Sequence, residues 1–195
     1  MTRALVMVAV LVVACGWASA APVPKAVKGS DTHVVVVTSL GDLEIELFPD
    51  KAPKTVKNFL GYVDDGFYDG LIVHRVIPQF MVQGGGFEPG VKEKKGNDPI
   101  PCESDNGLSN TRGTVAMARG RQPDSATSQF FVNLVDNSRL DAANSRDKVG
   151  YCVFGKVVGG LDVADKMTQA KTARTGQFDN VPVEDIVIKS VRRKR

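Results

Sequence analysis

Val73-His74-Arg75-Val76-Ile77-Pro78-Gln79-Phe80-Met81-Val82-Gln83-Gly84-Gly85 is the stretch on which the reading of this chain turns. Two apolar runs, Leu71 to Ile77 and Phe80 to Gln83, are separated by Pro78-Gln79 and closed by glycine. Short runs bounded by turn residues read as strands. Side chains alternate along a strand, so Met81 and Gln83 share one face.

The same pattern continues downstream in Thr114 to Arg119, Gln129 to Val135 and Tyr151 to Val158, separated by Gly, Asn and Asp. Gln129, Phe131 and Asn133 share a strand face by the same alternation. Upstream, His33 to Thr38 is β-branched and apolar. Asp42 to Leu47 alternates strictly, with Leu43, Ile45 and Leu47 on one face and Glu44 and Glu46 on the other; a turn at Leu40-Gly41 joins the pair. The period then changes. Val56, Phe59, Leu60 and Val63 follow helical spacing, Pro53 sits where a first helical turn tolerates a missing N–H, and Asp65-Gly66 marks the stop. A second helix fits Leu161 to Gln169, and a last strand fits Val183 to Val191. Many short strands imply a sandwich or barrel. The long connection from Gly86 to Gly113 reads as functional or as an excursion over the surface.

Length and composition, 195 residues with 43% hydrophobic and 24% charged, suit one domain, expected over residues 33–191. A formal charge of +3 is small, and the basic cluster Arg192 to Arg195 reads as a solvated tail (residues 192–195), so nucleic acid is not an expected partner. Residues 1–20 have the form of a signal peptide: Arg3, an apolar run from Ala4 to Ala14, and the small-x-small pattern Ala18-Ser19-Ala20. That run is short for a membrane span. Cleavage after Ala20, a linker over residues 21–32 and a periplasmic location are the expectation. The alternative is a lipoprotein anchored through Cys15, since Val12-Val13-Ala14-Cys15 is similar to a lipobox. Whether Cys102 and Cys152 pair is left open by their spacing; Cys152 lies in an apolar run that suits a buried free thiol.

The sequence carries no P-loop, G-x-S-x-G, C-x-x-C or H-E-x-x-H pattern. Its two histidines, His33 and His74, have no cysteine near them, so neither a metal nor an organic cofactor is expected. Gly84-Gly85-Gly86 lacks the helix and lysine that phosphate binding would want and reads as a tight turn. Taken singly, Arg75, Met81, Gln83, Gln129 and Phe131 are ordinary surface or core residues. Together they describe a shallow groove: amides to grip a peptide backbone, an apolar seat, and an arginine beside it. That composition suits proline.

The stretch Val73 to Gly85 resembles the signature of the cyclophilins. The blocks Gly113 to Arg119, Ser125 to Asn133 and Val153 to Val157 resemble the central strands of the same family, in order. The resemblance runs from about residue 33 to 191 and is nearest to the short bacterial periplasmic branch. It implies a mainly β fold, a closed eight-stranded antiparallel barrel capped by two α-helices. It also implies peptidyl-prolyl cis-trans isomerase activity on proline-containing polypeptides, with no cofactor. By the family pattern Phe80, Met81, Phe131 and Leu140 form the proline seat, Gln83, Ala118 and Gln129 hold the peptide, and Arg75 is the catalytic side chain.

Three positions depart from the common pattern. Arg139 stands where many relatives carry an aromatic residue, Tyr151 replaces a common His beside the groove, and Gly86 replaces a common Asp. Arg139 implies weak cyclosporin binding. His74 is expected to make a structural hydrogen bond, since rotation about a C–N bond transfers no proton. A monomer is expected. The rival readings are a proline-segment-binding chaperone or scaffold with incidental turnover, and an interaction protein held at a surface through Cys15.

Overall fold

The computed structural model describes residues 32–194; the expected signal peptide and nearly all of the expected linker lie outside them. The chain opens with β1 (His33–Thr38) and β2 (Gly41–Leu47), followed by helix α1 (Pro53–Asp64). Next come β3 (Arg75–Ile77), β4 (Met81–Gly84), and the two-residue strands β5 (Phe87–Glu88) and β6 (Lys92–Glu93). β7 (Thr114–Met117), β8 (Phe130–Asn133) and β9 (Val153–Gly159) lead to α2 (Leu161–Met167). A hairpin of β10 (Thr172–Thr175) and β11 (Phe178–Pro182) precedes β12 (Ile188–Arg193).

Eight strands form one antiparallel sheet in the order β12-β1-β2-β9-β7-β8-β4-β3. Alternation within the strands sends Val34 and Val36 of β1, and Leu43, Ile45 and Leu47 of β2, into a buried core. The sheet curls enough that Val36, Leu43, Val82, Val132 and Ile188, from five strands, converge on Met167 of α2. Helix α1 presents Val56, Phe59, Leu60 and Val63 to this interior, as their spacing requires. Phe59 packs against Tyr68, Phe130 and Phe154 with ring centroids 5.1–5.5 Å apart.

The architecture is mainly β with two helices, but the barrel does not close, which corrects the sequence expectation. The reason lies in Leu71 to His74, read as strand and found off the ladder. Around the single bridge Ile72↔Val187, this segment shares its bonds: Val73 N–H donates to Ile186 O at 2.9 Å, while Ile72 N–H donates to Phe87 O at 2.9 Å. Beside it Ile188 N–H donates to Leu71 O at 2.7 Å and Gly70 N–H donates to Ile188 O at 2.9 Å, but the pairing stops at this one bridge, so no continuous ladder joins β3 to β12. The result is a curled half-barrel with β3 and β12 as its edges.

Two further readings are corrected. Arg192 and Arg193 are not a solvated tail: both lie in β12, paired with Val35 and Val34 of β1, and their guanidinium groups hold Asp69 and Asp64. The β10–β11 hairpin falls in a segment that showed no strand alternation. Cys102 and Cys152 are both free; burial pushes the Cys152 thiol up to about 12, so it stays protonated.

The long connection between β4 and β7 acts as a strap. Helix α1 starts at Ala52 with no side-chain cap of its own, so its first N–H groups need partners from elsewhere. Glu103 supplies them: its carboxylate accepts Lys54 N–H at 3.1 Å, Thr55 N–H at 2.8 Å and the Thr55 hydroxyl at 2.9 Å. A negative charge at a helix N-terminus also meets the positive end of the helix dipole. Replacing Glu103 with alanine is expected to lower unfolding free energy by about 1–2 kcal/mol, the cost of a lost cap with buried groups left unpaired. Urea denaturation would register this as a lower midpoint with unchanged slope.

Candidate active site

Strand register builds the site. Arg75 of β3 lies opposite Gln83 of β4, Gln83 opposite Phe131 of β8, Phe131 opposite Ala116 of β7, and Ala116 opposite Val153 of β9. These five residues form one row across the sheet, on the face turned away from the main core. Met81, Ala116, Phe131 and Val153 make a second buried apolar cluster there, covered by Ile77, Phe80, Leu108, Ala118, Leu140 and Tyr151.

A cavity of about 130 Å³ opens on this cluster, lined by Arg75, Phe80, Met81, Gln83, Ala118, Arg119, Phe131, Leu140 and Tyr151. All the site residues expected from sequence are gathered here except Gln129, which lies on the rim through Gln83 and lines an adjoining cavity of about 350 Å³ with His74, Phe87, Gln177, Phe178 and Asp179. Arg75 and Gln83 border both cavities. An apolar floor of Met81 and Phe131 thus meets a polar edge. Along that edge Arg75 Nη1 donates to Gln83 Oε1 at 3.4 Å, and Gln83 Nε2 donates to Gln129 Oε1 at 2.9 Å. This chain orients the Gln83 amide with its oxygen toward the guanidinium.

The far wall is set by contacts distant in sequence. Asn137 donates from Nδ2 to Phe80 O at 2.9 Å and to Asn133 Oδ1 at 2.8 Å, tying the 3₁₀ turn Ser138–Leu140 to the residue beside it in space. Tyr151 N–H donates to Leu140 O at 2.9 Å, and the Tyr151 ring meets Phe131 edge-on at 5.6 Å. Gly150 allows this approach: its φ is +67°, and a Cβ there would lie 2.4 Å from Leu140 O. Gly86 works similarly, since a Cβ there would lie 2.4 Å from Gln129 Cγ. The departure from Asp at Gly86 therefore leaves room for Gln129 at the groove.

Arg119 is a lining residue that sequence reasoning quoted within a strand block but did not assign to the site. Its nearly buried guanidinium donates through Nε to Gly150 O at 2.8 Å, pairs with Asp147, and lies 4.9 Å from the Tyr151 ring centroid. Arg119 first, then the N–H groups of Gly150 and Val149, hold the Asp147 carboxyl well below the usual range. The only signal in the sequence was an arginine closing an apolar strand; its partners lie about thirty positions away.

His74 differs from expectation. Its Nδ1 has no hydrogen-bond partner, and the ring instead packs against Phe87 with centroids 4.5 Å apart. Burial, with a smaller contribution from neighbouring Arg75, lowers its pKa to about 4, so the ring is neutral at ordinary pH. Among the described residues no cluster of three or more His, Cys, Asp or Glu is placed to hold a metal ion, and no helix is long and apolar enough to cross a membrane.

The arrangement can seat a small apolar ring against Met81 and Phe131, hold peptide amides with Gln83 and Gln129, and aim a permanently charged donor at the same spot. Comparison with known proteins agrees with that chemistry. Residues 33–193 match the family model for cyclophilin type peptidyl-prolyl cis-trans isomerases. The chain is 56% identical over 155 residues to peptidyl-prolyl cis-trans isomerase B of Escherichia coli, covering 79% of this chain and 94% of the relative. It is 53% identical over 163 residues to peptidyl-prolyl cis-trans isomerase A of Dickeya dadantii, covering 84% and 85%. Among solved structures it is similar to a cyclophilin type isomerase of Cryptosporidium parvum crystallised in the presence of the dipeptide Ala-Pro. There the TM-score is 0.72 and the identity 28%, over 84% of this chain and 99% of that one.

Proposed function

The chain belongs to the cyclophilin-type peptidyl-prolyl cis-trans isomerases, and from that premise we propose that Arg75 carries the catalysis and that the substrates are proline-containing segments of exported proteins. The observation that carries the first part is the cavity itself: a guanidinium borders an apolar seat of Phe80, Met81, Phe131 and Leu140, with no acid lining it among the described residues.

Rotation about an X-Pro bond is opposed by amide resonance, with a barrier of about 18–20 kcal/mol. As the amide twists, the prolyl nitrogen regains its lone pair. A fixed donor aimed at that nitrogen stabilises the twisted state more than either planar one. The guanidinium of Arg75 is a planar fork of N–H donors that keeps its direction. Lowering the barrier by about 7 kcal/mol gives roughly a 10⁵-fold acceleration. The apolar seat contributes by fixing the ring while the chain on the other side of the bond turns; Gln83, Ala118 and Gln129 hold the backbone. No step requires a base, a metal or an organic cofactor. The test is the cis-to-trans relaxation of a short Ala-Pro peptide, followed directly with purified protein; no acceleration by folded protein would overturn the reading.

Export rests on residues 1–20, whose charged start, apolar run and Ala18-Ser19-Ala20 suit a signal peptide cleaved after Ala20. Periplasmic folding clients and a monomeric state follow as parts of the same proposal. The mass of the chain recovered from fractionated cells separates cleavage after Ala20 from lipidation at Cys15.

Arg139 bears on ligand choice. Its guanidinium lies 4.7 Å from the Phe80 ring centroid, at the mouth of the seat. A neutral apolar ligand such as cyclosporin would have to strip water from that charge without replacing its hydrogen bonds. Cyclosporin is therefore expected to bind weakly, at about micromolar Kd or above; a nanomolar complex in a calorimetric titration would refute this.

A further inference from the structure

Three guanidinium groups lie at or beside the proline seat, two lining it and a third over the Phe80 ring, and they differ in what neutralises them. Arg119 is paired with Asp147. Arg75 is exposed and, among the described residues, makes one long side-chain hydrogen bond, to the neutral Gln83. Arg139 is exposed and stacked on Phe80; among the described residues its side chain has no hydrogen bond and no carboxylate partner. The cavity that Arg75 and Arg119 line has no Asp or Glu in its lining, and Asp179, which lines the adjoining cavity with Arg75, is paired with Arg174. Among the described residues Arg75 and Arg139 thus have no carboxylate partner, and both stand beside the seat.

The stack matters for what Arg139 can do. A free surface arginine samples many rotamers and loses that freedom when it binds. Lying over the Phe80 ring, the guanidinium is partly ordered beforehand, and its N–H donors, which make no hydrogen bond among the described residues, are available to a carboxylate. Arg139 is carried on the 3₁₀ turn Ser138–Leu140, whose Leu140 lines the seat, so the charge is held within a residue or two of any bound proline.

We propose that Arg139, with Arg75 lining the seat, makes the groove selective for segments that carry a Glu or Asp within about two residues of the proline. This rests on the isomerase reading and names the substrate class of that same site. Arg139 is a specificity-determining residue here, and the contribution lies in binding of the flanking residue rather than in the rotation, so it appears in KM more than in kcat.

The test uses Xaa-Ala-Pro-Yaa peptides in which Xaa or Yaa is Glu, Gln or Lys and the rest is constant. At low salt the Glu peptide is expected to exceed the Lys peptide in kcat/KM by about three- to fivefold on at least one flank, the upper part of the range of an exposed charge pair. The ratio should shrink toward one in about 0.5 M salt. Arg139→Gln should bring it down to the smaller ratio that Arg75 alone supports at low salt, and Arg139→Lys should restore part of the difference, since the charge returns without the guanidinium fork. A Glu-to-Lys ratio of one on both flanks, or a ratio unchanged by Arg139→Gln, would overturn the proposal. Turnover of the neutral Gln peptide reads the isomerase activity separately. Shift titrations of the same peptides read the charge preference through binding alone, so a failure of either inference is visible without the other.

Discussion

Replacing Arg75 with alanine is expected to lower kcat/KM for an Ala-Pro peptide by about 10²- to 10³-fold, the usual loss when a donor aimed at the transition state is removed. The fold should be nearly untouched. Arg75 is exposed, and among the described residues its one side-chain hydrogen bond is the 3.4 Å bond to Gln83, so the change in unfolding free energy should stay within about 0.5 kcal/mol. The apolar seat is retained, and the loss should fall mainly on kcat, with KM little changed. Arg75→Lys keeps the charge but not the directed fork, and should recover only a fraction of the rate. Relaxation kinetics beside a thermal melt of each variant decide the matter. Full activity in a folded Arg75→Ala protein would remove Arg75 from the mechanism and leave the seat as a binding groove.

The second large effect concerns pH. His74 is buried, and desolvation lowers its folded-state pKa to about 4, against about 6.5 in an unfolded chain. Between those values the unfolded chain binds a proton that the folded chain refuses, so stability is full above about pH 6.5 and falls as the pH drops toward 4. The difference of about 2.5 pK units corresponds to about 3 kcal/mol lost over that window, with no further loss from this group below it. Carboxylates titrate in the same range, so the measurement is a comparison. Urea unfolding of wild type and His74→Gln from pH 7 to pH 4 should show the wild type losing about 3 kcal/mol more than the variant. Parallel curves would show that His74 takes up its proton in the folded state without penalty. Catalysis needs no proton from this ring, so kcat/KM should be flat across pH 6 to 8.

The legible parts of the sequence were those governed by short-range periodicity. Leu43, Ile45 and Leu47 announced β2, and Val56, Phe59, Leu60 and Val63 announced α1, because a face buried in the core repeats with the element's own period. Strand alternation also placed Met81 with Gln83. What stayed hidden depended on partners remote in the chain. Nothing near Ala52 indicates that Glu103 caps α1, nothing near Arg119 points to Asp147, and the splitting of Ile72 and Val73 between Phe87 and Ile186 has no local sign. The β10–β11 hairpin escaped because its exposed residues bury little, so no apolar repeat marks it. The site was read more fully than the fold around it, and the reason is the block resemblance; residue types alone left Arg75, Gln83 and Phe131 as unremarkable surface and core positions.

The cross-sheet row from Arg75 through Gln83, Phe131 and Ala116 to Val153 has an engineering consequence. Five neighbouring strands about 4.8 Å apart set its span at about 19 Å, and backbone ladders hold that spacing against side-chain changes. Phe80, Arg139, Leu140 and Tyr151 stand instead on turns and strand approaches outside the ladder. The ladder row is thus a fixed ruler, and the turns beside it can be exchanged without breaking a backbone ladder, so grafting the segments that carry Arg139 and Tyr151 is the economical route to altered selectivity.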